Sequence, residues 1–180
     1  MTLKEKYQKE IIPAMMNSFG IHNVMEVPRV EKIIVLCGLN RALVEQDGKF
    51  IDMVKNTITK ITGQKPIEIK AKKSIAGFKI REGQSVALMV SMRGKRMYDF
   101  LNKLINVSIP RIKDFRGLNE NSVDQFGNFN FGLKEQVVFP EVKSDEVERV
   151  HGLQITVTTT ARDKKKGLEL FKLFGFPFKK

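Results

Sequence analysis

A single cysteine, Cys37, leaves this chain of 180 residues without an intramolecular disulfide, which suits a reducing compartment. Long apolar runs are missing too, and none approaches the roughly 18 residues that a membrane span requires. The opening Met1-Thr2-Leu3-Lys4-Glu5-Lys6-Tyr7 mixes acids with bases around no apolar core, so neither a secretory nor a transit signal is legible in it. Histidine is scarce. His22 and His151 lie far apart with no carboxylate pair nearby in a metal-ligand pattern, and Cys37 sits inside an apolar stretch that reads as a buried strand. Gly-x-Ser-x-Gly, the phosphate-binding loop and the dinucleotide fingerprint are all absent. These gaps argue against catalysis, and against a cofactor, a metal, a small-molecule substrate or a membrane as partner.

What the chain does have is positive charge. Thirty-two Lys and Arg stand against 20 Asp and Glu, a net +12 with a pI near 9.8, the balance of a protein that meets polyanions. The surplus is concentrated. From Lys65 to Arg116 there are 13 basic residues and 4 acidic ones, whereas Gly117 to His151 holds 3 basic and 7 acidic. Scattered solvating charge has no reason to sort itself in this way, so the first window reads as a nucleic-acid surface.

One domain spanning residues 1–180 can bury a proper core, roughly two-thirds of the unfolded surface or more, and no repeat or linker interrupts it. Leu3, Tyr7 and Ile11 predict an amphipathic helix to about Phe19, kinked or restarted at Pro13 and closed by Gly20. Residues 29–37 read as a strand, and Phe50, Val54, Ile58 and Ile61 as a second helix ending at Gly63. Short strands follow near Pro66–Lys70 and Gln84–Met92, and Met97, Phe100, Leu101, Leu104 and Ile105 form the cleanest helical stripe. Phe129, Phe131 and Leu133 alternate with polar and small residues as a strand does, and Leu153–Thr159 keeps strict period two. Ala161–Phe174 closes the chain as a helix with Leu168, Phe171 and Phe174 inward, capped by Thr160 or Asp163. This order does not alternate as a parallel array would. It predicts an α+β fold, an antiparallel or mixed sheet with helices packed on one face and long basic loops. The other face is then open, and polar sheet faces suit RNA.

The densest motif is Lys70-Ala71-Lys72-Lys73-Ser74-Ile75-Ala76-Gly77-Phe78-Lys79-Ile80-Arg81. Such a loop can meet phosphates with Lys and Arg while Ser74 and backbone N–H groups donate, and Phe78 can pack on a ribose or base. The bland alternative is a solvated hairpin with Ile75 and Phe78 tucked into a small core. Arg93, Lys95 and Arg96 crowd a strand-to-helix junction, where cations oppose the helix dipole unless an anion neutralises them. Arg111, Lys113 and Arg116 alternate with apolar residues as an extended basic face, or as a charged sheet edge. Gln154, Thr156 and Thr158 line the polar sheet face, and Lys164-Lys165-Lys166 reads as a solvated first turn, with a phosphate contact as the alternative.

At these motifs the sequence resembles, over essentially its whole length, the family of the large-subunit ribosomal protein numbered five, which anchors 5S rRNA in the central protuberance. The matching blocks run in order: Met25-Glu26-Val27-Pro28-Arg29-Val30-Glu31-Lys32-Ile33, Ile61-Thr62-Gly63-Gln64-Lys65-Pro66, Lys73 to Arg81, Pro110 to Gly117, Phe126-Gly127-Asn128, Gln136-Val137-Val138-Phe139-Pro140-Glu141 and Thr158-Thr159-Thr160-Ala161. The closing Gly175-Phe176-Pro177-Phe178 is of bacterial type. The resemblance implies a structural constituent of the large subunit, in the cytoplasm or in an organellar ribosome. Its implied partners are 5S rRNA, 23S rRNA, P-site tRNA, the small-subunit head protein thirteen and neighbouring large-subunit proteins.

On this reading the rRNA-binding set is Lys32, Gln64, Lys65, Ser91, Arg93, Lys95, Arg96, Arg111, Lys113, Arg116, Thr156 and Thr158, with Gln64 and Ser91 at 5S rRNA. Ser91 stands where the family usually has threonine. The implied tRNA contacts are Lys72, Lys73, Ser74, Gly77, Phe78, Lys79 and Arg81. Glu141, Asp145, Glu146 and Glu148 would meet the small-subunit protein. Two positions depart from the family: Leu36-Cys37-Gly38-Leu39-Asn40 replaces the usual Asn-Met-Gly-Val-Gly, and Met89 stands where a lysine is common. A free RNA chaperone or translation regulator is the competing function, and an RNA-modifying enzyme a distant third. One copy per large subunit after a high-salt wash separates the first reading from the second.

Overall fold

The computed structural model describes residues 2–39, 49–142 and 149–179. Five strands, β1 (Val30–Gly38), β2 (Ile67–Lys70), β3 (Ser85–Met92), β4 (Phe129–Leu133) and β5 (Leu153–Thr159), form one sheet in the order β2-β3-β1-β5-β4. Pairing is antiparallel. β2 lies against β3 with Ile67 opposite Met89 and a bulge between Ile69 and Lys70, Leu39 N–H donates to Val86 C=O at 2.9 Å beyond the end of β1, and Thr160 N–H donates to Arg29 C=O at 3.0 Å beside β5. Side chains alternate as a half-covered sheet requires. Ile33, Val35, Cys37, Leu88, Val90, Met92, Ile155 and Val157 are buried, while most of their alternates are half-buried or exposed. The α+β expectation with an antiparallel sheet holds.

The chain forms two compact units, one of Met1–Ile33, Met92–Phe131 and Ile155–Lys180, the other of Ile34–Ser91 and Gly132–Gln154. In the first unit, α1 (Leu3–Lys6) opens on a capping box in which Thr2 Oγ1 accepts from Glu5 N–H and Glu5 Oε2 accepts from Thr2 N–H. It passes through a π turn, Tyr7–Ile11, into α2 (Ile12–Phe19), which Gly20 closes at φ +61°. The turn explains Pro13. Proline has no N–H and clashes with the carbonyl four residues back, and the wider turn, in which Ile12 N–H reaches Tyr7 C=O, seats the ring in the first turn of α2. The second unit holds α3 (Phe50–Thr62). The π device recurs in the first unit, where α4 (Gly94–Lys103) runs into a π turn, Leu104–Ser108, and then the short 3-10 turn Ile109–Arg111 that holds Pro110.

The last helix, α5 (Lys164–Phe174), starts three residues later than its sequence suggests. Ala161 N–H is taken by Thr159 Oγ1 at 3.3 Å and Arg162 has φ +55°, outside the helical region, so Asp163 is the cap, accepting from Lys165 N–H at 3.2 Å. Its inward stripe is Gly167, Leu170, Phe171 and Phe174, and Leu168 is only half-buried. Phe129, Phe171 and Phe176 close a triangle of rings with centroids 5.1 to 5.4 Å apart.

The second unit packs α3 through Phe50, Val54, Ile58 and Ile61, and Gly63 ends it at φ +67°. Lys55 reaches Asp52 at 3.3 Å and pairs with Glu68, which also accepts from Ser85 Oγ at 2.8 Å. Buried Gln136 clamps the backbone of 149–151, donating to Arg149 C=O and accepting from His151 N–H, both at 2.8 Å. No helix of the described residues is long and apolar enough to cross a membrane.

Candidate nucleic-acid interface

In the first unit, the open sheet positions are Lys32, Asn130, Thr156 and Thr158, exposed or half-buried. Thr156 Oγ1 donates to Asn130 Oδ1 at 2.8 Å, so each keeps further hydrogen-bonding capacity for a partner. Arg93 is the extended N-cap residue of α4, and Lys95 and Arg96 are exposed in its first turn, with no side chain capping the helix. Arg111, Lys113 and Arg116 lie not on a strand but in a 3-10 turn followed by bends, with Asp114 at φ +54°. The expected extended face or sheet edge is therefore an irregular turn. Its end is fastened at Leu118, which donates to Pro177 C=O and accepts from Lys179 N–H, each at 2.8 Å.

In the second unit the open positions are Ile34, Leu36, Ile67, Ile69, Met89, Ser91 and Gln154, with Ser91 half-buried and Ala87 on the same side of β3 buried. Gln64 follows the left-handed Gly63, its N–H directed to Thr62 Oγ1 at 3.3 Å and its side chain half-buried, and Lys65 next to it is exposed. Glu31 is exposed in β1 but alternates with Lys32 onto the other side of the strand, and among the described residues no carboxylate lies on the Lys32 and Thr156 side in the first unit or on the Met89 and Ser91 side in the second. Glu68, on the other face of β2, is held by Lys55, which keeps its carboxyl below the ordinary range.

The cationic loop is a hairpin built on its own backbone. Ile75 and Ile80 exchange N–H to C=O bonds of 2.9 and 3.1 Å, Ala71 N–H reaches Gln84 C=O at 2.8 Å, and a 3-10 turn over Ala76–Phe78 ends at Lys79 with φ +51°. Ser74 Oγ accepts from Glu82 N–H at 2.9 Å, which leaves its own proton to donate. Residues 72–79 are all exposed, Phe78 at 74%. The tucked-in alternative fails, since Ile75 is also 48% exposed.

Of the seven acids between Gly117 and His151, Glu120 pairs with Lys172 at 2.9 Å and Asp124 accepts three hydrogen bonds inside its own turn. Glu141 is half-buried. Asp145, Glu146 and Glu148 lie outside the described residues.

Sequence spacing gave no hint that Cys37 and His151 meet, Sγ to Nδ1 at 3.5 Å. The pair is not a catalytic one. Burial pushes the thiol up to about 11 and holds the imidazole below its ordinary value, and neither group is accessible. Among the described residues no group of His, Cys, Asp and Glu could hold a metal.

Two family models match the chain: that described as the C-terminus of the ribosomal L5 protein family over residues 85–178, and that for ribosomal protein L5 over residues 23–81. Curated relatives carry the name large ribosomal subunit protein uL5. The one from Halothermothrix orenii is 49% identical over 98% of this chain and 97% of its own length. That from Heliobacterium modesticaldum is 48% identical over 98% and 97%, and that from Thermosipho africanus 50% identical over 99% and 97%.

Proposed function

The chain belongs to the ribosomal protein L5 family, and we propose that within the large ribosomal subunit it attaches 5S rRNA to the central protuberance. As a family member it is a structural RNA-binding constituent of the cytoplasmic ribosome, not an enzyme. The observation that carries the finer reading is that, among the described residues, the sheet side of Lys32, Asn130 and Thr156 in one unit and of Met89 and Ser91 in the other holds no carboxylate, in a chain whose cations gather between Lys65 and Arg116. A phosphate backbone meets no repulsion there, while Gln64, Ser91, Thr156 and Thr158 supply hydrogen bonds to ribose and phosphate oxygens. Lys32, Lys65, Arg93, Lys95, Arg96, Arg111, Lys113 and Arg116 supply the charge, shared between 5S and 23S rRNA.

The hairpin of residues 72–81 is the part suited to P-site tRNA, since it projects Lys72, Lys73, Lys79, Arg81 and the Phe78 ring on a backbone already satisfied by itself. Ser74 and Gly77 complete that contact. The acidic stretch that includes Glu141, Asp145, Glu146 and Glu148 would face the small-subunit head protein thirteen, where complementary charge favours fast, reversible contact. Tagged protein sedimented with ribosomal particles, washed in high salt and stripped for RNA sequencing tests the central claim. Recovery of 5S rRNA, one per large subunit, is the expected result. Retention of 23S rRNA alone would remove the 5S assignment.

A further inference from the structure

Phe126 is 68% exposed, yet its turn is held from every side. Asp124 Oδ1 accepts from the N–H groups of Phe126 at 2.9 Å and Asn128 at 2.8 Å, Asp124 Oδ2 accepts from Asn128 Nδ2 at 2.9 Å, and Gly127 N–H donates to Asp124 C=O at 3.1 Å. Behind the ring, Gly127 at φ +80° presses on the chain entering α5. A Cβ there would stand 2.7 Å from Ala161 Cβ and 2.8 Å from Asp163 C=O, and Thr159 Oγ1 donates to Gly127 C=O at 2.8 Å. The turn therefore cannot rotate the ring into the core, where Phe129 and Phe171 are fully buried.

The contact that fixes the turn sets its backbone against the stretch 161–167, which carries Arg162, Lys164 and Lys165. Arg162 and Lys165 are exposed and Lys164 half-buried. The nearby carboxylates are engaged within the protein: Asp124 in its turn, Asp163 as the cap of α5, and Glu26 at 3.9 Å from Lys166 Nζ. A rigid aromatic ring held beside a cationic stretch of backbone has the chemistry of a single-stranded nucleotide site. The base stacks on the ring and the phosphates meet Lys and Arg.

We infer that Phe126, with Arg162, Lys164 and Lys165, binds an unpaired nucleotide of ribosomal RNA, its base against the Phe126 ring. This rests on the chain's place as an rRNA-binding component but not on the 5S contact assigned to Gln64 and Ser91. It also takes the phosphate contact, rather than the solvated turn, as the reading of the lysine run.

The test uses the full-length protein and a single-stranded dodecaribonucleotide with one central 2-aminopurine. Wild type should quench the fluorophore by stacking. Phe126→Ala should lose the quench and bind about tenfold more weakly, within the range typical of one base–aromatic stack. Phe126→Tyr should retain both, and Arg162→Ala with Lys165→Ala should weaken binding and flatten its salt dependence while keeping the quench at saturation. A benzophenone amino acid introduced at position 126 should crosslink to rRNA in assembled large subunits. Equal quenching by wild type and Phe126→Ala, or a crosslink to protein alone, overturns the inference. 5S rRNA binding by the same variants should be unchanged, and its parallel loss would merge this site with the 5S surface and overturn it as a separate one. Should wild type fail to bind 5S rRNA while the quench survives, the 5S assignment falls and this site stands.

Discussion

In Gly167→Ala two effects of opposite sign meet at one methyl group. Gly167 is the fourth residue of α5, where alanine should gain about 1 kcal/mol in helix propensity. Against this, a Cβ at Gly167 would lie 2.4 Å from Gly127 Cα and 2.6 Å from Gly127 O, whereas carbon atoms rest at about 3.5–4.0 Å. The two backbones must part by roughly an ångström. The obstacle is main chain, pinned by Thr159 on one side and by Ala161 and Asp163 on the other. Overpacking costs about 1–3 kcal/mol where side chains can adjust, and here the shift also strains the Thr159–Gly127 hydrogen bond, worth about 1 kcal/mol. The clash wins. A net loss of about 1–3 kcal/mol follows, which at this chain length lowers the melting temperature by roughly 2–12 °C. Thermal melts followed by circular dichroism, with urea midpoints, give the measurement. Gly132→Ala is the control, since nothing lies within 4 Å of its Cβ and its φ is not positive. If Gly167→Ala melts at or above wild type, propensity has outweighed contact and the rigid seat claimed for Phe126 is not rigid.

The buried His151 predicts an acid sensitivity. Its folded value is depressed by desolvation, so the folded state prefers neutral imidazole while the unfolded chain protonates near pH 6.5. Stability should be constant above about pH 7 and fall as pH drops through 6.5, by up to about 1.4 kcal/mol per pH unit. Urea midpoints between pH 7.5 and 5 that stay as flat in wild type as in His151→Phe would contradict this. For the 5S contact, Gln64→Ala and Ser91→Ala should each weaken binding by about 1 kcal/mol or more in filter-binding titrations, if their hydrogen bonds are buried in the complex. Wild-type affinity in both variants would remove these two residues from the contact. Replacing Lys73, Lys79 and Arg81 together with alanine should spare 5S rRNA binding and loosen P-site tRNA in a toeprinting assay, and equal loss of both would move the hairpin to the 5S surface.

Elements with an uninterrupted apolar period were legible in sequence. The stripe from Met97 to Ile105 is buried as its spacing requires, and the strands at 30–38 and 153–159 follow from alternation. Ends were less legible, because they depend on contacts made far along the chain. Ala161 looks like a helix start until Thr159 captures its N–H, and Thr159 is itself held by Gly127 and Asn128. Blocks that carry the family resemblance proved partly architectural for the same reason. Phe126-Gly127-Asn128 and Thr158-Thr159-Thr160-Ala161 are two sides of one contact, and Gln136 serves the backbone of 149–151. A single sequence cannot tell a residue kept for RNA from one kept for such a clasp. Phe126 stood in sequence only as part of a family block with no role of its own, because its exposure is set by the turn around it, not by any periodicity.

The two departures from the family pattern acquire a common meaning only in the folded chain. Leu39 N–H bonds to Val86 C=O, and in an antiparallel ladder the paired residue numbers keep a constant sum. Counting back from that bond sets Leu36 opposite Met89, and the burial of Val35 with Val90 and of Cys37 with Leu88 on the reverse face agrees with this register. Met89 in turn lies opposite Ile67, which is 65% exposed. Leu36, Met89 and Ile67 therefore form one apolar row across three strands, about 10 Å long at ordinary strand spacing. A leucine in place of asparagine and a methionine in place of lysine look in sequence like two separate losses of polar contact. Side by side they protect one another from water, and either polar residue restored alone would sit against an apolar neighbour. On the proposed RNA contact, the open face of this unit would meet its partner by shape and packing along this row, and Ser91, further along β3, would supply the hydrogen bond. An RNA minor groove, whose riboses present carbon-bound hydrogens as well as hydroxyls, accommodates both kinds of contact.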